Sequence, residues 1–197
     1  MPTRSHRDRA HSARYTVSLF LTALAIAVLA SCRGGHEYPP GDSSTLGADL
    51  TRLRLELMIP VEGVHPADLP DTFNEMRGSR RHDALDIPAP RGTPVLSAAE
   101  GRLLKLFAST RGGLMVYAAD VTERFILIYA HLDRYADGLN EGMRLRRGQM
   151  IGYVGTSGNA PPDAPHLHFE IAHSEDIRRW WQGTPVNPRP LLIPEGW

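Results

Sequence analysis

Short apolar runs, each broken within a few residues by Gly, Pro, Asn or Asp, recur from residue 53 onward. LELMIP (55–60), TPVLSA (93–98), RLLKLFA (102–108), GLMVYAA (113–119), RFILIYA (124–130), MIGYVG (150–155) and HLHFEI (166–171) read as strands. Several are rich in Val, Ile, Tyr and Phe, which suit a pleated, half-buried surface, and their short spacing suits antiparallel pairing. Arg111-Gly112-Gly113 fits a tight turn between two of them. Only 133–141 and a stretch near 176–181 offer short helical segments, and no internal repeat is present. The pattern predicts a mostly β fold: a small antiparallel β-sheet domain, built as a partly open sandwich or barrel.

The first 32 residues have a different character. Arg4, Arg7, Arg9 and Arg14 precede an apolar stretch over 17–30, as in an export signal, and the stretch is too short for a transmembrane helix. It ends in Leu29-Ala30-Ser31-Cys32, which resembles a bacterial lipobox, where the cysteine is lipidated and the chain is cut just before it. The alternative is an ordinary signal peptide or membrane anchor with an incidental cysteine. The lipobox reading gives an export segment over 1–32, a flexible Gly-, Pro- and Ser-containing linker over 33–50, and a domain over 51–197. Several acyl chains on Cys32 would anchor the domain stably to an envelope membrane.

Export changes the charge balance. The whole chain has 22 basic and 22 acidic side chains, and losing 1–32 leaves 18 against 21, a net charge of −3. A mildly acidic domain excludes a phosphate-binding footprint, so no nucleic-acid partner is expected. With Cys32 the sole cysteine, no intrachain disulfide can form, and the domain must rely on its core.

Five residues concentrate the chemistry: His82 and Asp86 in RRHDALD, His131 in YAHLD, and His166 and His168 in PHLHFE. Imidazoles plus a carboxylate, without cysteine, match a catalytic zinc site that keeps one position open. His166 and His168 are two apart in a strand, so both face one way while Leu167 and Phe169 face the core. Read alone, they could equally be a solvated surface pair. His82 and Asp86 would lie about 13 Å apart in a straight strand, so the chain must bend between them if they share an ion. An ion pair in a loop is the plainer reading of that segment. His131 ends an apolar strand at a polar turn, where a rigid strand can present a side chain to a groove.

Taken together and in order, RRHDALDIPAPRGTPVLSAAEGRL, the YAHLD segment with Gly148-Gln149-Met150-Ile151-Gly152, and PHLHFEI closely resemble the lysostaphin/LytM-type zinc endopeptidases of bacterial cell walls. The resemblance covers 53–190. It implies that His82, Asp86 and His168 ligate Zn2+, and that His131 and His166 are the catalytic pair outside the ligand set. It also implies a small antiparallel β fold with a groove, and hydrolysis of peptide bonds in peptidoglycan stem peptides or cross-links. The peptides of peptidoglycan are then the partner, beside the membrane reached through Cys32, and a regulatory protein partner is left open. Arg33 after Cys32 and the likeness to Gram-negative members imply outer-membrane sorting, facing the periplasm. Ala84 stands where many members have glycine, and the transition-state tyrosine of some members has no identified counterpart. Some relatives have lost their ligands and act as murein-binding activators of other wall hydrolases; here all five positions are filled.

Overall fold

A computed structural model describes residues 43–193; the export segment 1–32, Cys32 and most of the 33–50 linker lie outside the described residues. The first element is a helix, α1, over Ser43–Glu56. Leu46, Leu50, Leu53 and Leu57 recur at three- and four-residue steps and so share one face. Leu53 and Leu57 are buried, with Leu46 and Leu50 packed against the same core. Leu55, on the opposite face, is 82% exposed.

This helix corrects two expectations. Residues 43–50 are not a flexible spacer, because a leucine stripe runs through their Ser, Thr and Gly. The run 55–60 is not a strand: its first residues finish α1, and Pro60 has no N–H to give a ladder. The segment still borders the sheet, with Met58 N–H donating to Ala98 O (2.9 Å) and Leu96 N–H to Pro60 O (2.9 Å).

The strands that follow are β1 (Met76–Arg77), β2 (Arg80–Arg81), β3 (Leu85–Pro88), β4 (Pro94–Leu96), β5 (Gly101–Ser109) and β6 (Gly113–Asp120). Next come β7 (Phe125–Tyr135), β8 (Arg144–Leu145), β9 (Met150–Val154), β10 (His166–His173) and β11 (Thr184–Val186), with a closing turn of helix, α2, over Arg189–Leu192. β1 and β2 form a separate hairpin around Gly78. The main sheet runs β11-β10-β7-β6-β5-β8, with β3 on the first half of β10 and β4–β9 attached to the end of β7. Every pairing is antiparallel and the sheet stays open, as the strand pattern predicts.

Neither predicted short helix forms as a regular α-helix. β7 runs on to Tyr135, and the chain beyond it turns with Gly138 and Gly142 at φ 78° and 86°, backbone that a helix cannot use. Near 176–181 there is a single 3-10 turn, Ile177–Arg179, whose first N–H groups include Arg178 N–H donating to the Asp176 carboxylate.

Alternation along the strands sorts the two faces. Leu127, Tyr129, Leu167, Phe169 and Ile171 join the main core with Val95, Ile151 and Val154. Ile126 and Ile128 point the other way, into a smaller cluster with Tyr117 and Ile177, flanked by Trp180. His168 and Glu170 lie on this second face of β10, so the core fixes their strand while leaving them at a groove.

Candidate active site

All five sequence-predicted residues line one groove of about 720 Å³. The bend required between His82 and Asp86 is present, and it falls at Asp83, whose φ is 61°. Aspartate tolerates this left-handed backbone better than most residues. Ala84, which follows Asp83, is fully buried. Thr72 holds the bend from below: its hydroxyl accepts from Asp86 N–H (2.9 Å) and donates to Ala84 O (3.2 Å).

Pairing of β3 with β10 sets His168 directly opposite Asp86. His82 Nε2 and His168 Nδ1 each lie 3.1 Å from Asp86 Oδ1, and 3.1 Å from each other. These three side chains form a group that could hold a metal ion. Ligand atoms on a tetrahedral zinc with bonds near 2.0–2.1 Å stand about 3.3 Å apart, so the spacing fits. The tautomer fits as well. His82 Nδ1–H donates to Thr72 O (3.1 Å), which leaves Nε2 with its lone pair directed at the other two donors. Asp86 is held well below the ordinary carboxylate range: burial opposes its charge, and the imidazoles of His168 and His82 beside it outweigh that. Its second oxygen, Oδ2, accepts from Arg77 Nη2 at 3.1 Å.

His131 reaches the groove through a break in β7. The β6–β7 register shifts between Leu114 and Val116, and His131 takes φ 60°. Such a bulge re-aims a side chain that regular alternation would bury. The residues before it pair with β10 and those after it with β9. His131 N–H donates to Gly112 O (2.9 Å), and its Nδ1 lies 2.8 Å from Ser157 O. His166 Nδ1 lies 2.8 Å from Ala164 O. In both rings Nδ1–H donates to a carbonyl, so both present a bare Nε2 to the groove. The ring centres are 5.1 Å apart, and His131 is 5.5 Å from His168. Burial pushes the His131 imidazole down to about 4, Ser157 O opposing and the charges of His168 and His166 adding.

Several contributors carry no sequence signal of their own. Thr72 and Arg77 support the donor set from outside any motif. Ser157, in the glycine-rich GTSGN segment, bonds His131 and also accepts from Leu114 N–H through its hydroxyl (3.0 Å). Gly113 makes that approach possible: a Cβ there would meet the Ser157 hydroxyl oxygen at 2.1 Å and its carbonyl carbon at 2.4 Å. Glu170 was findable by alternation, two residues beyond His168 on the same face. Burial raises its carboxyl to about 7, with Asp83 adding to the shift. Trp180 stands outside the donor cluster, its ring packed on Tyr117 with centroids 4.7 Å apart.

The chain is 34% identical over 119 residues to the DD-carboxypeptidase/endopeptidase Mpg of Neisseria meningitidis serogroup B, a match covering 58% of this chain and 24% of that protein. It is 33% identical over 113 residues to the L-Ala--D-Glu endopeptidase of Bacillus subtilis, covering 55% and 34%. The chain thus spans a quarter to a third of the length of these relatives. The fold matches a mutant catalytic domain of the prophage-encoded M23 protein EnpA from Enterococcus faecalis, with a TM-score of 0.51 and 25% identity over 66% of this chain and 91% of that one. Residues 80–188, which contain the whole donor cluster and both further histidines, match Peptidase family M23, and the chain belongs to that family.

Proposed function

We propose that the chain is a zinc-dependent endopeptidase hydrolysing peptide bonds in peptidoglycan stem peptides or cross-links. The observation that carries this reading is the convergence of His82 Nε2, Asp86 Oδ1 and His168 Nδ1 within 3.1 Å of one another, beside two imidazoles with bare Nε2 atoms. His82, Asp86 and His168 would hold the ion, and their N,N,O set with an open side suits zinc. When bound, the ion supplies Lewis acidity toward a water molecule and a scissile carbonyl.

The remaining steps belong to His131 and His166. A neutral imidazole whose Nδ1–H is committed to a carbonyl can only accept at Nε2, which suits removal of a proton from the attacking water. Once protonated, that Nε2–H returns the proton to the departing amine. The partner ring, on the same side of the groove, donates to the developing oxyanion when protonated. The carbonyls of Ser157 and Ala164 fix both rings in the orientation this exchange needs.

The proposed substrate follows from the relatives, one of which is named for an L-Ala--D-Glu bond. Stem peptides that contain D-Glu carry free carboxylates. The N-terminal features support an address beside them: lipidation at Cys32, anchoring in the cell envelope, and a domain facing the periplasm from the outer membrane.

The test is muropeptide analysis by mass spectrometry of purified sacculi incubated with the chain, with and without chelator. Loss of cross-linked dimers or shortened stem peptides, abolished by chelator, is the expected result. A folded, zinc-loaded chain that leaves sacculi intact would overturn the reading and favour a murein-binding activator.

A further inference from the structure

Four arginines line the groove: Arg77, Arg80, Arg81 and Arg111. Two are committed. Arg77 bonds Glu75 (2.8 Å) and Asp86 (3.1 Å), and Arg81 pairs with Asp83. Among the described residues, neither Arg80 nor Arg111 has a side-chain hydrogen bond or ion pair, and both are exposed. Of the groove's carboxylates, Asp83 and Asp86 are already paired, which leaves Glu170 on the floor.

Both guanidiniums sit on backbone tied to the reacting groups, and the charge of Arg111 also acts on Glu170. Arg80 opens the second strand of the β1–β2 hairpin, two residues before His82, whose N–H donates to Glu75 O (2.8 Å) at the foot of that hairpin. Arg111 precedes Gly112, whose carbonyl accepts the His131 N–H. One arginine is therefore linked through the backbone to the donor cluster and the other to His131. Guanidinium presents a planar fork that matches a carboxylate through two parallel hydrogen bonds.

We propose that Arg80 and Arg111 are specificity-determining residues that bind free carboxylates of the stem peptide and so select acidic peptide over neutral peptide. This rests on the peptidase reading given above. A bound peptide covers part of the groove, and the pairs it shields from water are stronger than those on an open surface.

The test uses cross-linked muropeptides with all amines acetylated, half of the sample then having its carboxyls converted to amides. kcat and KM are measured on both for the full, zinc-loaded chain, for Arg80→Gln, for Arg111→Gln and for the double variant. The expected result is that the parent prefers the acidic form by about tenfold or more in kcat/KM, chiefly through KM. The preference shrinks in each single variant and disappears in the double. Equal cleavage of both forms by the parent, or an unchanged preference in the double variant, overturns the inference and leaves the peptidase reading standing. Cleavage of neither form by the zinc-loaded parent overturns both.

Discussion

His168 and Asp86 face each other across the β3–β10 ladder, and that pairing brings Nδ1 to 3.1 Å from Oδ1. The donor cluster is thus written into strand register. A slip of one residue would turn His168 into the core and send Leu167 to the groove.

His168→Ala removes one of three donors and is expected to abolish both zinc binding and hydrolysis. His131→Ala leaves the donors untouched, so zinc is retained while kcat falls by about 10² or more. Metal analysis of the dialysed chains, run beside the rate assay, checks the division. Zinc loss in the His131→Ala chain would refute the roles assigned.

Arg77 acts on the cluster from outside it by holding Asp86 Oδ2. Arg77→Gln is expected to weaken zinc affinity by about 10- to 100-fold, as loss of partners to metal ligands does elsewhere. Because the pair is half-exposed on the arginine side, unfolding stability should change by less than about 1 kcal/mol. Competition with a zinc-binding dye and a denaturant titration separate the two effects.

Glu170 gives a pH signature in the metal-free chain. Its folded-state value of about 7 lies above the ordinary 4.5, so between these values the folded chain holds a proton that the unfolded chain releases. The stability it contributes is complete below about pH 4.5 and is lost as pH rises through about 7, by about 3 kcal/mol at most. Glu170→Gln keeps the neutral form at every pH. Thermal melts should therefore show the variant gaining on the parent at pH 8 and not at pH 4.

Leu53 tests whether α1 is part of the domain. It is 2% exposed and belongs to the main core. Leu53→Ala should cost about 2–5 kcal/mol, read from urea unfolding, whereas Leu55→Ala on the exposed face should cost under about 0.5 kcal/mol.

The strands were legible because period-2 alternation and turn residues flank them: Leu167 and Phe169 are buried and His168 is not, as HLHFEI requires. The candidate chemistry was legible through the resemblance of RRHDALD, YAHLD and PHLHFEI to a known family; the residues alone left a loop ion pair and a solvated histidine pair open. What escaped notice depended on tertiary partners. The leucine stripe of α1 was obscured by Ser, Thr and Gly, and its apolar end looked like a strand. The extension of β7 to Tyr135 follows from pairing with β9, which no local pattern announces. Thr72, Arg77 and Ser157 act through hydrogen bonds to residues 10, 9 and 26 positions away, so only the folded chain brings them to the site.

The most direct measurement is reconstitution of the metal-free chain with zinc while following the release of new peptide amines from purified sacculi. The account predicts no release without metal, a rise to a plateau at one zinc per chain, and no recovery at any zinc concentration in His168→Ala. Release by the metal-free chain, or a folded parent that takes up zinc and still releases nothing, would contradict it.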